Sequence, residues 1–318
     1  MTYGFRATAL TGIALSACVL VSACSSGNGE SIGSSEQSDA LPVVANFYPI
    51  EWLVQEIGKE SVSVVGLTPT GAEPHDLSLD PKSITALEGA KAVFYLGSDF
   101  QPDVQRAVDQ LPEDIAVSDL LTSPGVTLLD APGDLGKESL TGNKDPHVWL
   151  DPSQMQAMAV EVAAVLGSID PARAEQFDSN AKELIRKLQS VDDELRGKLK
   201  DCEVTTIVTS HAAFNYLAQR YGLTQIAIAG VSKDEQPDPA TLEEIARDAK
   251  AAGVRTVFFE EQLSPELSET VASEIGANVD LLAALEFDPE EAIGPGQDYI
   301  SVMKDNAQRL SRGLGCVD

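Results

Sequence analysis

Residues 170–200 set the plan of this chain. Phe177, Ala181, Leu184, Leu188, Val191, Leu195 and Leu199 recur there at three- and four-residue spacing, with charge between them. That is the pattern of a helix with one buried stripe. A helix of roughly 30 residues would be about 45 Å long, and a break near Ser190 would turn it into two shorter ones. On both sides of this stretch, strand-like and helix-like text alternates. VVANFYPI (43–50), SVSVVGLT (61–68), KAVFYLG (91–97) and DIAVSDL (114–120) precede it; VTTIVTS (204–210), QIAIAG (225–230), TVFFE (256–260) and NVDLL (278–282) follow it. Such alternation predicts parallel sheet covered by helices. The pattern therefore describes two α/β lobes joined by one long helix. A ligand cleft should lie where loops from the carboxyl ends of the strands face each other.

Between the early strands, 51–57 and 81–88 read as helices, with Pro81 placed in a first turn where its missing N–H costs little. Residues 121–142 lose the rhythm and form a surface excursion. Asp151-Pro152 then starts a helix, Asp as cap and Pro in the first turn, with Met155, Met158, Val162 and Leu166 as its buried stripe.

The N-terminus stands apart from this pattern. Arg6 and the apolar, small-residue run ATALTGIALSACVLVSAC read as a secretion signal rather than a membrane span. Val21-Ser22-Ala23-Cys24 looks like a bacterial lipobox, cut before the cysteine and lipidated on its thiol. Leu15-Ser16-Ala17-Cys18 overlaps it, but polar sequence begins directly after Cys24. SSGNGESIGSSEQSD then reads as a flexible tether. The expected layout is a signal peptide (1–23), a tether (24–40), an N-terminal lobe (41–169), a linking helix (170–201) and a C-terminal lobe (202–318). An outside address permits a disulfide between the two remaining cysteines, Cys202 and Cys316, with a two-thiol metal site as the rival.

The net charge of -28 argues against nucleic acid and against adhesion to anionic lipid through a basic face. Acid groups such as Asp192-Asp193-Glu194 and Glu290-Glu291 read as hydrated surface.

The chain has three histidines. His75 lies in PTGAEPHD, after a strand; His147 lies in DPHVWLDP, before a helix; His211 directly follows VTTIVTS. Each stands at a loop or strand end where a cleft would be lined. In DPHVWLDP, Trp149 and Leu150 read as packing residues, and Asp145-Pro146 as fixing the approach to the loop. Three neutral imidazoles and one carboxylate would make a four-coordinate zinc site. Spacing alone fits unrelated, hydrogen-bonding histidines equally well, since no HExxH or CxxC arrangement is present.

The lipobox, the tether, TGAEPHD, DPHVWLDP, VTSHAAFNYLAQRYGL and DYISVMKDNAQRLSRGLGC together resemble the metal-binding, membrane-anchored receptors of bacterial ABC transporters, and within them the zinc branch. The resemblance covers residues 41–318. It implies two α/β lobes, a rigid linking helix, and a Zn2+ ion held between the lobes by His75, His147 and His211. It also implies delivery to a permease powered by a cytoplasmic ATPase, by a monomer held to the membrane through its lipid.

Manganese-type members usually carry glutamate at the position of His211. A Mn2+ or Fe2+ receptor is the nearest alternative. At the fourth ligand the chain departs from the pattern: the usual Asp or Asn is Ala283, which cannot bind a metal. Glu286, at the following acidic position, becomes the expected ligand, with Asp280 or a water as alternatives. Glu260 is expected to orient a ligand histidine. A hydrolytic zinc enzyme would need a base and a substrate pocket, for which no signature is present. A metal-independent surface adhesin would tolerate loss of the three histidines.

Overall fold

The computed structural model describes residues 40–131, 144–230, 237–262 and 264–317. The expected signal peptide, Cys18, Cys24 and most of the tether lie outside the described residues, as does much of the 121–142 excursion. No helix among the described residues is long and apolar enough to cross a membrane.

The N-terminal half runs β1 (Leu41–Ala45), α1 (Tyr48–Gly58), β2 (Val62–Gly66), α2 (Pro81–Gly89), β3 (Ala92–Tyr95), α3 (Pro102–Val108) and β4 (Ala116–Asp119). Two long helices follow, α4 (Pro152–Ile169) and α5 (Ala174–Lys198). The C-terminal half comprises β5 (Thr206–Thr209), α6 (Asn215–Tyr221), β6 (Thr224–Ala227), α7 (Pro239–Ala251), β7 (Thr256–Phe259), α8 (Glu266–Ile275), β8 (Asn278–Leu281), α9 (Pro289–Ala292) and α10 (Tyr299–Leu314).

Each half builds a four-stranded sheet, in the orders β2-β1-β3-β4 and β6-β5-β7-β8. Every pairing is parallel. Inner strands are the apolar ones: all four residues of β3 are buried, whereas edge strand β8 has none that are fully buried. The strands are shorter than the apolar runs that contain them. VVANFYPI is strand only to Ala45, because Pro49 sits in the first turn of α1 and starts a helix there. The short helix α3 lacks a long apolar stripe, and periodicity did not reveal it.

Asp151 caps α4 by accepting from Ser153 N at 2.8 Å, with Pro152 in the first turn. Met155, Met158, Val162 and Leu166 are all buried. Helix α5 is continuous through Ser190, and its 25 residues give a rod of about 37 Å. Its buried residues are the expected Phe177, Ala181, Leu184, Leu188, Val191 and Leu195, with Asp192 added.

One apolar core extends from β1 and α1 through Trp149, α4 and α5 to α6 and α10. The outer face of each sheet carries its own smaller core. A continuous apolar seam between the lobes resists their separation. Cys202 and Cys316 form a disulfide across 114 residues of sequence, tying the end of α10 to the start of the second lobe and contributing roughly 2–4 kcal/mol.

Asp192, expected on the hydrated surface, is instead 2 % exposed. Arg220 of α6 holds both of its oxygens at 2.8 Å, and the Tyr221 hydroxyl donates to it at 2.9 Å. Arg220 also lies 3.1 Å from Asp151 at the start of α4. The buried charge survives because it is paired and hydrogen-bonded.

Candidate metal centre

Four side chains from four separate segments converge between the sheets. His75, His147, His211 and Glu286 each offer one ligand atom, and these atoms lie within 4.8 Å of one another. All four residues are buried. Glu286 Oε1 stands 3.1 Å from His211 Nε2, 3.5 Å from His147 Nε2 and 3.6 Å from His75 Nε2. With zinc–ligand bonds of about 2.0–2.1 Å, the ligands of a tetrahedral ion stand about 3.3 Å apart. The three separations straddle that edge length. The cluster is positioned to coordinate a Zn2+ ion.

Each histidine is aimed by different means. His75 sits in the long loop after β2, whose approach is pinned by Gln101: its Nε2 donates to Thr68 Oγ1 at 2.9 Å and to Pro74 O at 3.0 Å. The imidazole rests edge-on against Phe100, ring centres 4.7 Å apart. His147 precedes the 3-10 turn Val148–Leu150, and its Nδ1 lies 2.7 Å from Asp145 Oδ1, which also accepts its backbone N–H. His211 lies just beyond β5, with Nδ1 2.6 Å from Glu260 Oε2 and its backbone N–H donating to Glu260 Oε1 at 3.0 Å. A carboxylate on Nδ1 fixes the proton there, turns the Nε2 lone pair to the ion and raises the basicity of the ligand.

These carboxylates act against burial. Burial alone depresses all three imidazoles, and it carries His75 down to about 4. At His147 burial is outweighed by Asp145, so the ring titrates above its ordinary value. At His211 burial is outweighed by Glu260 and Glu286, which lift the ring to about 10. The site is thus built to hold positive charge. Three imidazole nitrogens and one oxygen are a borderline-soft donor set, suited to zinc better than to the oxygen-preferring manganese ion.

Glu260, expected to orient a histidine, lies 2.6 Å from His211 Nδ1. Asp280 does not join the group: it projects from β8 to Arg309 and Arg312. Ala283 is buried, and its backbone N–H and C=O both pair with the Asn306 side chain, at 3.0 and 2.8 Å. Trp149 and Leu150 are fully buried packing residues, as expected. The Trp149 indole also donates to Ala284 O at 2.7 Å.

Sequence reading left three supporting residues unidentified. Asp145 carries a usable signal, an acid two residues before a candidate ligand, although the sequence alone assigns Asp145-Pro146 only to fixing the approach to the loop. Glu261 and Asn306 had none, because both act on backbone groups distant in sequence. Leu285 adopts φ 59°, a left-handed conformation that costs a bulky residue about 1–3 kcal/mol. It lies directly before Glu286, in the turn that those residues hold.

The family model described as "ZnuA: Zinc-uptake complex component A periplasmic" matches residues 43–313. The high-affinity zinc uptake system protein ZnuA of Bacillus subtilis (strain 168) is 35 % identical over 308 residues, covering 94 % of this chain and 96 % of that protein. The zinc-binding lipoprotein AdcA of Streptococcus pneumoniae (strain ATCC BAA-255 / R6) is 33 % identical over 285 residues, 88 % of this chain but only 57 % of that longer protein. Among solved structures, the Zn(II)-bound ZnuA-like domain of S. pneumoniae AdcA superposes with a TM-score of 0.73 at 32 % identity, covering 86 % of this chain and 99 % of that one. The laminin binding protein Lmb of Streptococcus agalactiae, described as bifunctional with adhesin and metal transporting activity, gives 0.77 at 28 % identity, with 86 % and 99 % covered. By sequence match, fold and the cluster between its lobes, this chain belongs to the ZnuA family of zinc-uptake components.

Proposed function

We propose that this protein captures Zn2+ outside the cytoplasm and hands it to an ABC-type permease driven by a cytoplasmic ATPase. His75, His147, His211 and Glu286 are the ligands in this reading, and Glu260 orients His211. The observation that carries it is the convergence of four buried ligand atoms from distant segments within 4.8 Å. The zinc-uptake and zinc-binding relatives support the choice of ion. The same reading anchors a monomer to the extracytoplasmic face of the cell membrane through lipid on Cys24. It also divides the molecule into lobes 41–169 and 202–318 about a linking helix at 170–201.

Capture needs no bond-making chemistry. Ligand atoms replace the ion's waters, and the single ligand carboxylate with Asp145 and Glu260 behind it offsets the ion's double charge. Binding requires neutral imidazoles, so the proton held on His211 must leave as zinc enters. Affinity therefore rises with pH and falls as pH drops.

Calorimetric titration of the purified protein with zinc and manganese, alongside Glu286→Ala, tests this. Zinc should bind more tightly than manganese. The variant should lose at least about tenfold in zinc affinity, the low end of what even a supporting residue costs. Between pH 7.5 and 5.5 the wild-type affinity should fall. An isotherm unchanged by pH would contradict histidine ligation, and an unchanged variant would remove Glu286 from the site.

A further inference from the structure

Glu286 reaches the ligand group from a turn outside any helix or strand. After β8 the chain runs Leu282-Ala283-Ala284-Leu285-Glu286, with Leu285 held at positive φ. Nothing in the local sequence favours that conformation, since neither Gly, Asn nor Asp occupies the strained position. The turn is held from outside.

Five of its backbone polar groups bond to side chains from elsewhere in the chain. Asn306 of α10 takes both groups of Ala283, and the Trp149 indole takes the carbonyl of Ala284. The consecutive N–H groups of Ala284 and Leu285 both donate to Glu261, at 2.8 and 2.7 Å, one to each carboxylate oxygen. Glu261 is 5 % exposed. Successive N–H groups in such a turn form an anion-binding concavity, and here the anion is a side chain of the protein itself. A buried carboxylate is costly unless its oxygens are satisfied. Two charge-assisted bonds to adjacent amides meet that need and fix the turn.

The placement divides labour between neighbours. Glu260 and Glu261 directly follow β7. Glu260 bonds to His211, whereas Glu261 bonds to the backbone that immediately precedes Glu286. One dipeptide thus supports two of the four grouped side chains without Glu261 belonging to the group.

We propose that Glu261 is a positioning residue for zinc capture, fixing the 283–286 turn so that Glu286 Oε1 stands at ligand distance before the ion arrives. The proposal rests on the reading of Glu286 as a ligand. It explains how a chain with Ala283 in place of an Asp or Asn still presents Glu286 at ligand distance. That placement comes from Glu261 and Asn306, not from the local sequence.

The test is zinc titration of the wild type, Glu261→Gln, Glu286→Gln and the double variant, with cobalt(II) spectra of each and melting of each metal-free form. Glu261→Gln keeps the shape but turns an amide donor towards an N–H. Its zinc affinity should fall about 10–100-fold, and the visible cobalt band of a four-coordinate site should shift or weaken. The double variant should be no weaker than Glu286→Gln beyond about twofold, because the two changes act through one ligand.

If the two losses multiply, Glu261 acts independently of Glu286 and the proposal is overturned. Wild-type affinity and cobalt spectrum in Glu261→Gln, with a weakened Glu286→Gln, would overturn it while leaving the ligand reading intact. An unweakened Glu286→Gln would instead sink the ligand reading itself. Glu261→Asp keeps the charge and shortens the reach by one methylene. It should show the same loss and cobalt change, and it decides the matter if the Gln variant does not fold.

Discussion

The two lobes share a strand order but contribute to the site unequally. In the second lobe, three of the four strands lead directly into the metal centre: β5 into His211, β7 into Glu260 and Glu261, and β8 into the Glu286 turn. The first lobe supplies His75 from a long loop after edge strand β2. His147 comes from a segment that the second lobe grips. Tyr216 donates to Asp145 O at 2.8 Å, Trp149 donates to Ala284 O, Tyr299 donates to Trp149 O at 2.6 Å, and Arg220 pairs with Asp151. His147, His211 and Glu286 therefore share one hydrogen-bonded scaffold, and His75 meets it from the other side. The difference teaches that a ligand's place in the sequence need not say which part of the structure holds it.

The sharpest way to break this comparison is to remove one histidine from each side and measure the metal-free protein. His211→Ala leaves Glu260 and Glu286 buried without their shared partner, and stability should drop by roughly 3–5 kcal/mol. His75→Ala removes a ring that packs edge-on against Phe100 and stands farther from Glu286 Oε1 than either other histidine, and should cost about 1 kcal/mol. Denaturant unfolding of the two variants checks this, and equal losses would erase the asymmetry.

A smaller effect tests the grip on the His147 segment from behind. Asp192, pulled down to about 2 by Arg220, Tyr221 and Arg196 against the effect of burial, joins α5 to α6, and Arg220 carries the link to Asp151. A depressed carboxylate stabilises the fold above its unfolded value of 3.8 and loses that contribution as pH falls through about 2. Asp192→Asn should therefore cost roughly 2 kcal/mol at pH 7, with the gap to wild type narrowing below about pH 4. A gap that persists at pH 2 would mean that charge is not what Asp192 contributes.

How much of this was legible in the sequence follows from range. The α5 stripe, the α4 cap and the inner strands are local patterns, and periodicity finds them. The histidines are legible as candidates because each stands in a loop or at a strand end in a chain with three histidines. The resemblance to metal receptors then joined them into one site. Asp192 reads as solvated because it opens a run of three acids; only the fold brings Arg220 and Tyr221 to it. Glu261 and Asn306 stayed hidden because their partners are backbone groups of Ala283, Ala284 and Leu285, which carry no residue-type signal. Ala283 looked like the weak point of the site when judged by its side chain. Its backbone N–H and C=O are both held by Asn306.

The most direct test of the central claim is X-ray absorption at the zinc edge of the protein loaded with one equivalent of zinc. The account predicts a four-coordinate ion with three imidazole nitrogens and one carboxylate oxygen, all at about 2.0–2.2 Å, and two imidazoles in His75→Ala. A first shell of six oxygens, or an imidazole count that His75→Ala leaves unchanged, would contradict it.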